Sequence, residues 1–204
     1  PIAGQNFDGH AFLSQAFERG AAGAFAAERK PLPANHSDRI IVVKDPLIAV
    51  QRIAHGYRTL LRGTSFVALT GSSGKTTTRE LLACILRAAG NTYSHPLSFN
   101  NELGVPLALL ACEPTNRFVA LEFGAKRLGD IRFLVELAAP DAVACLNAGS
   151  AHIGIFGSAE KLRQAKLEII RYAPSATPAV VFADDPVLID QARAIKRPLV
   201  TFGK

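Results

Sequence analysis

The seven residues Gly71-Ser72-Ser73-Gly74-Lys75-Thr76-Thr77 hold two glycines, one lysine and four hydroxyls in a row. Such a set suits phosphate chemistry. Glycines let successive backbone N–H groups turn toward one point, and a helix starting there adds partial positive charge. Lys75 can reach the terminal phosphates of a nucleotide such as ATP, and the Thr76 hydroxyl can hold Mg²⁺. The context agrees. Phe66 to Leu69 is an apolar run that predicts a buried strand. Thr76 to Ala89 predicts a helix, with Leu81, Ile85 and Ala88 on one face and Leu82, Leu86 and Ala89 beside it. Strand, glycine loop, Lys-Thr and helix are the layout of a phosphate-binding loop. The spacing departs from the usual pattern, since Leu69 stands where a further glycine is expected. A strand-to-helix turn that merely contains Gly and Lys is the competing reading.

Four other groups could do chemistry. Glu122 interrupts the apolar run of Ala120-Leu121-Glu122-Phe123-Gly124-Ala125. An acid at a strand end near a phosphate loop can bind Mg²⁺, directly or through water; the alternative is a surface glutamate. Asn147 to His152 form a small-residue loop ending in a histidine. His152 is a candidate metal ligand or proton carrier, or else a surface residue. Lys166 lies in Arg163-Gln164-Ala165-Lys166-Leu167-Glu168, and helical spacing alone makes it an ordinary solvated lysine. Asn100 and Asn101 precede a helix and follow an expected second strand; they are either caps or contacts to ligand.

These residues must be positioned by the elements around them. From Ser65 onward the chain alternates strand and helix. Strands are expected at 118–123, 142–146, 179–182 and 199–202, and helices at 103–111, 129–138, 159–172 and 186–195. Continuous apolar strands between helices predict an α/β fold with a mostly parallel sheet covered on both faces. Ligands of such sheets bind at the carboxyl ends of the strands, where the candidates fall. Residues 1 to 63 read as a smaller α/β unit. It has a helix with Phe12, Ala16 and Phe17 on one face and a stop at Gly20. Short strands are expected near Ala22 to Ala27 and at Ile40-Ile41-Val42-Val43, and a polar loop spans Pro31 to Asp38. A further helix is capped by Asp45, with Pro46 at its first position and Leu47, Val50, Ile53, Ala54 and Tyr57 at helical spacing. The boundary is placed at Arg62-Gly63-Thr64.

Composition removes several classes. Half of the 204 residues are apolar, so a substantial core is possible, yet no apolar run is long enough to cross a bilayer and no signal peptide is visible. The net charge is +6, but Lys and Arg are dispersed without aromatic interleaving, which argues against nucleic acid. Cys84, Cys112 and Cys145 have no metal spacing and read as buried free thiols in a reducing compartment. The chain opens abruptly at Pro1, contains no methionine and stops just after an expected strand, which reads as a fragment cut at both ends.

Four ordered stretches carry a resemblance: Thr70 to Thr78; Asn100-Asn101-Glu102-Leu103-Gly104-Val105-Pro106-Leu107; Leu121-Glu122-Phe123-Gly124-Ala125 with Gly129-Asp130-Ile131; and Ala151-His152-Ile153-Gly154-Ile155-Phe156-Gly157-Ser158. Together they resemble the Mur ligases of peptidoglycan synthesis, most of all the MurF type. Gly4-Gln5-Asn6-Phe7-Asp8-Gly9-His10 also resembles that family's nucleotide-sugar domain. The resemblance implies a partial UDP-sugar-binding domain at 1–63 and a central ATP-binding domain at 64–204, incomplete at its C-terminus. It implies an ATP- and Mg²⁺-dependent ligase that joins D-alanyl-D-alanine to UDP-N-acetylmuramoyl-tripeptide through an acyl phosphate. Gly71 to Thr77 would bind ATP, with Lys75 and Thr76 on its phosphates and the first Mg²⁺, and Glu122 completing that site. His152 and Lys166 would serve a second Mg²⁺, Lys166 as a carbamate. Asn100 and Asn101 would face substrate. The enzyme would be a cytoplasmic monomer, and this fragment alone would not complete the ligation. Departures from the family lie at Lys126-Arg127, where Asn-His is common, and at Leu97-Ser98-Phe99. A diamino-acid-adding or folylpolyglutamate-type ligase, or a nucleotide-binding module without catalysis, are the alternatives; Asn100 to Pro106 argue against the first two.

Overall fold

The computed structural model describes residues 1–4, 7–28, 30–149 and 153–204. By contacts the chain divides into Pro1–Ile53 and Ala54–Lys204.

In the first unit a 3-10 turn, Gly9–Phe12, runs into α1 (Leu13–Glu18). Strand β1 (Ala24–Ala27) pairs in parallel with β2 (Ile40–Val43). Between them a 3-10 segment, Ala34–Arg39, occupies most of the expected polar loop. Leu13, Phe17 and Ala26 form the small core. Phe12 does not join Phe17 on the buried face; it is exposed, because it belongs to the 3-10 turn and is out of phase with α1. Helix α2 (Pro46–Leu60) starts as expected: Asp45 Oδ1 accepts from the Leu47 and Ile48 amides at 2.8 and 3.1 Å.

The division falls inside α2, ten residues before the boundary expected from the Arg62-Gly63-Thr64 break. The last turns of α2 are tied to the second unit. Tyr57 Oη donates to the Cys112 carbonyl at 2.7 Å. Arg58 donates to the Ala138 and Ala139 carbonyls at 2.8 and 3.0 Å, and its guanidinium lies 3.8 Å from the Phe66 ring centre. The division by contacts thus runs through a helix, where the sequence carries no composition break.

The second unit runs β3 (Ser65–Thr70), α3 (Lys75–Ala89), β4 (Thr92–Ser94), α4 (Gly104–Leu110), β5 (Phe118–Glu122), α5 (Asp130–Ala138), β6 (Ala142–Cys145), α6 (Ile153–Phe156), α7 (Ala159–Arg171), β7 (Ala179–Phe182), α8 (Pro186–Arg193) and β8 (Leu199–Phe202). The strands form one parallel sheet in the order β4-β5-β3-β6-β7-β8. The strands read from apolar runs match to within one residue at each end. Central β3 and β5 are buried on both faces, as parallel strands covered by helices must be. Phe66, Leu109, Leu121, Ile131, Val143 and Ile170 belong to the continuous core.

The chain leaves β3 outward to β4, returns to β5, and then crosses to β6 on the other side of β3. The strand order reverses at β3, so its carboxyl end opens onto a crevice between diverging connections. The Gly71 to Gly74 loop, expected to bind phosphate, sits there.

Helix α3 turns a different face inward from the one expected. Leu81 and Ile85 are 61% and 69% exposed, while Arg79 and Ala83 are buried. The helix packs on β4 and β5 with the phase set by the Gly74 turn. Arg79 then lies inside, donating to the Leu97 carbonyl at 3.0 Å and to Glu80 Oε1 at 2.6 Å. Cys84 shares the outer face and is exposed, whereas Cys112 and Cys145 are buried as expected.

Candidate functional site

The loop between β3 and α3 is shaped by its neighbours. Thr70 is fully buried and its hydroxyl donates to the Phe123 carbonyl at 2.8 Å, which ties the ends of β3 and β5. A Cβ on Gly71 would lie 3.1 Å from Leu146 Cβ, so glycine lets β3 and β6 stay close as they separate. Gly74 has φ 74°, a left-handed backbone that starts α3 at no steric cost. Lys75 folds back over the loop, its Nζ donating to the Gly71 carbonyl at 3.0 Å.

Glu122 ends β5 beside Leu69 of β3. It is 3% exposed, which excludes a surface glutamate. Its Oε2 accepts from Thr76 Oγ1 and its Oε1 from Asn100 Nδ2, both at 2.8 Å. Ser98 Oγ lies 3.4 Å from Thr76 Oγ1. Among the described residues no Lys, Arg or His forms an ion pair with this buried carboxylate. A buried anion held only by neutral donors is costly and favours an incoming cation.

The two asparagines have different partners. Asn101 is a cap: its Oδ1 accepts from the Leu103 and Gly104 amides at 3.2 and 2.8 Å at the start of α4. Asn100 faces Glu122, and its carbonyl accepts from the Gly124 amide at 2.7 Å. A Cβ on Gly124 would come within 3.0 Å of the Asn100 carboxamide.

Lys166 is not a solvated lysine. It is 1% exposed on α7, which packs on β6 and α5. Burial, and then the positive charge of Lys75, lower its ammonium to about 8, with Cys145 and Glu168 opposing. Burial pushes the Cys145 thiol up to about 12. His152 lies outside the described residues, as do Gln5 and Asn6 of the first-unit motif.

Two contributors were not singled out from the sequence. Asn147, just past β6, contacts the phosphate loop: its Oδ1 accepts from the Ser72 and Ser73 amides at 2.9 and 3.1 Å. A polar residue at the end of an apolar strand was its visible signal, as it was for Glu122. Glu168 is buried on α7 and accepts from the Gly129 and Arg132 amides at 2.7 and 3.0 Å. It caps α5 from another element and so fixes α7, with Lys166, against it. Nothing local to Glu168 announces this.

Lys75, Thr76, Glu122 and Asn100 are thus brought together, with Lys166 near enough to feel Lys75. Oxygen donors at the mouth of a glycine loop and lysines beside it suit a nucleotide triphosphate and a hard cation. The Mur ligase middle domain matches residues 69–204.

The chain belongs to the Mur ligase family.

Relatives of this Mur ligase chain include the UDP-N-acetylmuramoyl-tripeptide–D-alanyl-D-alanine ligases of Bacillus subtilis, 38% identical over 92% of the chain and 41% of that protein, and of Escherichia coli, 37% identical over 90% and 40%. Among solved structures, MurF from Acinetobacter baumannii superposes with a TM-score of 0.89 at 32% identity, covering 99% of this chain and 44% of that one. MurF ligase from Thermotoga maritima, solved in complex with ADP, gives 0.88 at 36% identity over 100% and 46%. The Mur ligase chain spans about two fifths of the length of the curated relatives it matches.

Proposed function

We propose that this chain is the nucleotide-handling part of an ATP-dependent ligase that adds D-alanyl-D-alanine to UDP-N-acetylmuramoyl-tripeptide, through an acyl phosphate, releasing ADP and phosphate. The observation that carries the reading is the buried Glu122 carboxylate, bonded to Thr76 at the mouth of the loop and without an ion pair among the described residues. The names of the relatives and the ADP bound to the Thermotoga protein support it.

Each residue has a part. The first-turn amides of α3 lack intrahelical partners and, with the helix dipole, receive phosphate oxygens. Lys75 exchanges its bond to the Gly71 carbonyl for a terminal phosphate, a point charge at the end of a flexible stem. Thr76 and Glu122 fit Mg²⁺, which favours one or two protein oxygens plus phosphates and water. When bound, Mg²⁺ neutralises charge that builds on the phosphate oxygens during transfer. Asn100 orients the Glu122 carboxylate and borders the space where the substrate carboxylate must approach. His152 and Lys166 would hold a second Mg²⁺. An ammonium cannot do so, but a neutral amine can add carbon dioxide and lose a proton, leaving an anionic oxygen donor. Burial and Lys75 bring Lys166 toward that neutral form near physiological pH. No described helix is long and apolar enough to cross a membrane; a cytoplasmic, monomeric enzyme belongs to the same proposal.

Phosphate release by the full-length gene product tests the reading. Release is expected only when UDP-N-acetylmuramoyl-tripeptide and D-alanyl-D-alanine are both present. Release driven instead by a diamino acid or by glutamate with a folate would reassign the acceptor, and no release with any of them would refute ligation.

A further inference from the structure

We infer that Asn147 is a positioning residue that clamps the phosphate loop, taking up the Ser72 and Ser73 amides and leaving the amides of the first turn of α3 to nucleotide. The inference rests on the nucleotide-binding reading of the loop.

Every polar function of Asn147 near the loop is engaged with two residues. Its Oδ1 accepts from Ser72 N at 2.9 Å and Ser73 N at 3.1 Å. Its Nδ2 donates to the Ser73 carbonyl at 3.2 Å, and its own carbonyl accepts from Ser72 N at 3.2 Å. The carboxamide orientation is fixed by these partners, since a flipped amide would aim its NH₂ at two N–H donors. The clamp continues the sheet. Leu146 N donates to the Thr70 carbonyl at 2.9 Å, so the β3–β6 ladder runs on past the strand ends and into the loop. Ser72 Oγ also reaches the Gly149 carbonyl at 3.5 Å.

The chemistry explains the residue type. Without the carboxamide, the Ser73 amide, and the Ser72 amide held by the main-chain carbonyl alone, would attract a phosphate oxygen or swing the loop. A neutral carboxamide satisfies both without placing an anion beside the phosphates, as aspartate would. Its NH₂ additionally holds the Ser73 carbonyl, which would otherwise be free to turn toward the anion. The amides of Lys75, Thr76 and Thr77 remain for ligand, behind a Gly74 cap that makes no side-chain bond.

Asn147→Ala and Asn147→Asp, compared with the wild-type chain, test this by site-resolved amide exchange without nucleotide and by calorimetric titration of Mg·ATP. In wild type the Ser72 and Ser73 amides are expected to be protected. Asn147→Ala should speed exchange of the Ser73 amide, held by the carboxamide, by about tenfold or more, and of the Ser72 amide, which keeps the Asn147 main-chain carbonyl, by less, while the β3 core amides stay slow; it should weaken Mg·ATP by about 10- to 100-fold, as loss of three side-chain hydrogen bonds predicts. Asn147→Asp should keep the protection yet still weaken Mg·ATP, through its charge. A purely structural role would loosen the β3 amides as well and would overturn the inference. Unprotected Ser72 and Ser73 amides in a wild type that binds nucleotide would overturn the clamp alone. Mg·ATP binding by Asn147→Ala as tight as wild type, or tighter, would overturn the positioning role. A wild type that binds no Mg·ATP refutes the nucleotide reading, and the positioning role falls with it.

Discussion

Exchanging Glu122 for glutamine keeps the side-chain shape and removes only the charge. The native carboxylate is 3% exposed and accepts from Thr76 Oγ1 and Asn100 Nδ2 at 2.8 Å each. Glutamine can keep both contacts. Its oxygen takes the Asn100 amide, and its NH₂ meets Thr76 Oγ1, whose own proton can turn toward Ser98 Oγ at 3.4 Å. What is lost is the charge assistance of two bonds, about 1 kcal/mol each. What is relieved is the desolvation of a buried carboxylate with no cation beside it among the described residues, worth several kcal/mol in the opposite direction. The nucleotide-free Glu122→Gln chain should therefore melt at or above the wild-type temperature. Its response to metal should differ. Removing the anionic donor is expected to cost about 10- to 100-fold in Mg²⁺ affinity, or roughly 1.4–2.7 kcal/mol. The assay is a calorimetric cycle: ATP with and without Mg²⁺, on wild type and Glu122→Gln, with melting curves beside it. The predicted result is a large Mg²⁺ enhancement of ATP binding in wild type that collapses in the variant. A variant that keeps the full enhancement would refute the argument that Glu122 awaits a cation. A variant that melts well below wild type would refute the desolvation argument.

Three further outcomes follow from burial and geometry. Gly104→Ala places a Cβ 2.6 Å from Phe99 Cα and 2.8 Å from its carbonyl carbon, so the backbone must shift, and a loss of about 1–3 kcal/mol is expected in chemical unfolding. A thiol reagent should modify the exposed Cys84 alone in the native chain and all three cysteines after denaturation, and Cys84→Ser should abolish the native reaction. Lys166 titrates near 8 when folded against 10.5 for the ordinary side chain, so between those values the unfolded chain binds the extra proton and stability rises with pH. In carbonate-free buffer the stability of wild type relative to Lys166→Met should climb by up to about 3 kcal/mol from pH 7 to pH 10.5; a flat difference would contradict the burial argument.

The sheet was legible because parallel strands buried on both faces read as apolar runs, and Phe66 to Leu69 or Ala179 to Phe182 need no context to be seen. The turn from β3 into α3 was legible because glycines, lysine and hydroxyls stand in sequence after an apolar run. Helix faces were harder. Leu81 and Ile85 are apolar yet face outward, because the Gly74 turn sets the phase of α3 and brings Arg79 inward with its carbonyl and carboxylate partners. Periodicity gives the spacing of a stripe and not which stripe a sheet covers. Lys166 was hidden for the same reason: its burial depends on α7 lying over β6. Glu168 and Asn147 act across 36 to 75 positions of sequence, on amides that carry no side-chain signature. The division by contacts falls within one helix, α2, where no composition break marks it.

The central claim is that Gly71 to Thr77 form a working phosphate site. Calorimetric titration of Mg·ATP into the 204-residue chain, beside Lys75→Ala, tests it most directly. Binding by wild type that weakens by about 10- to 100-fold in the variant, with unchanged circular dichroism, is the predicted result, the loss being that of a hydrogen bond to a charged group. Equal binding by the two chains, or none by a folded wild type, would contradict it.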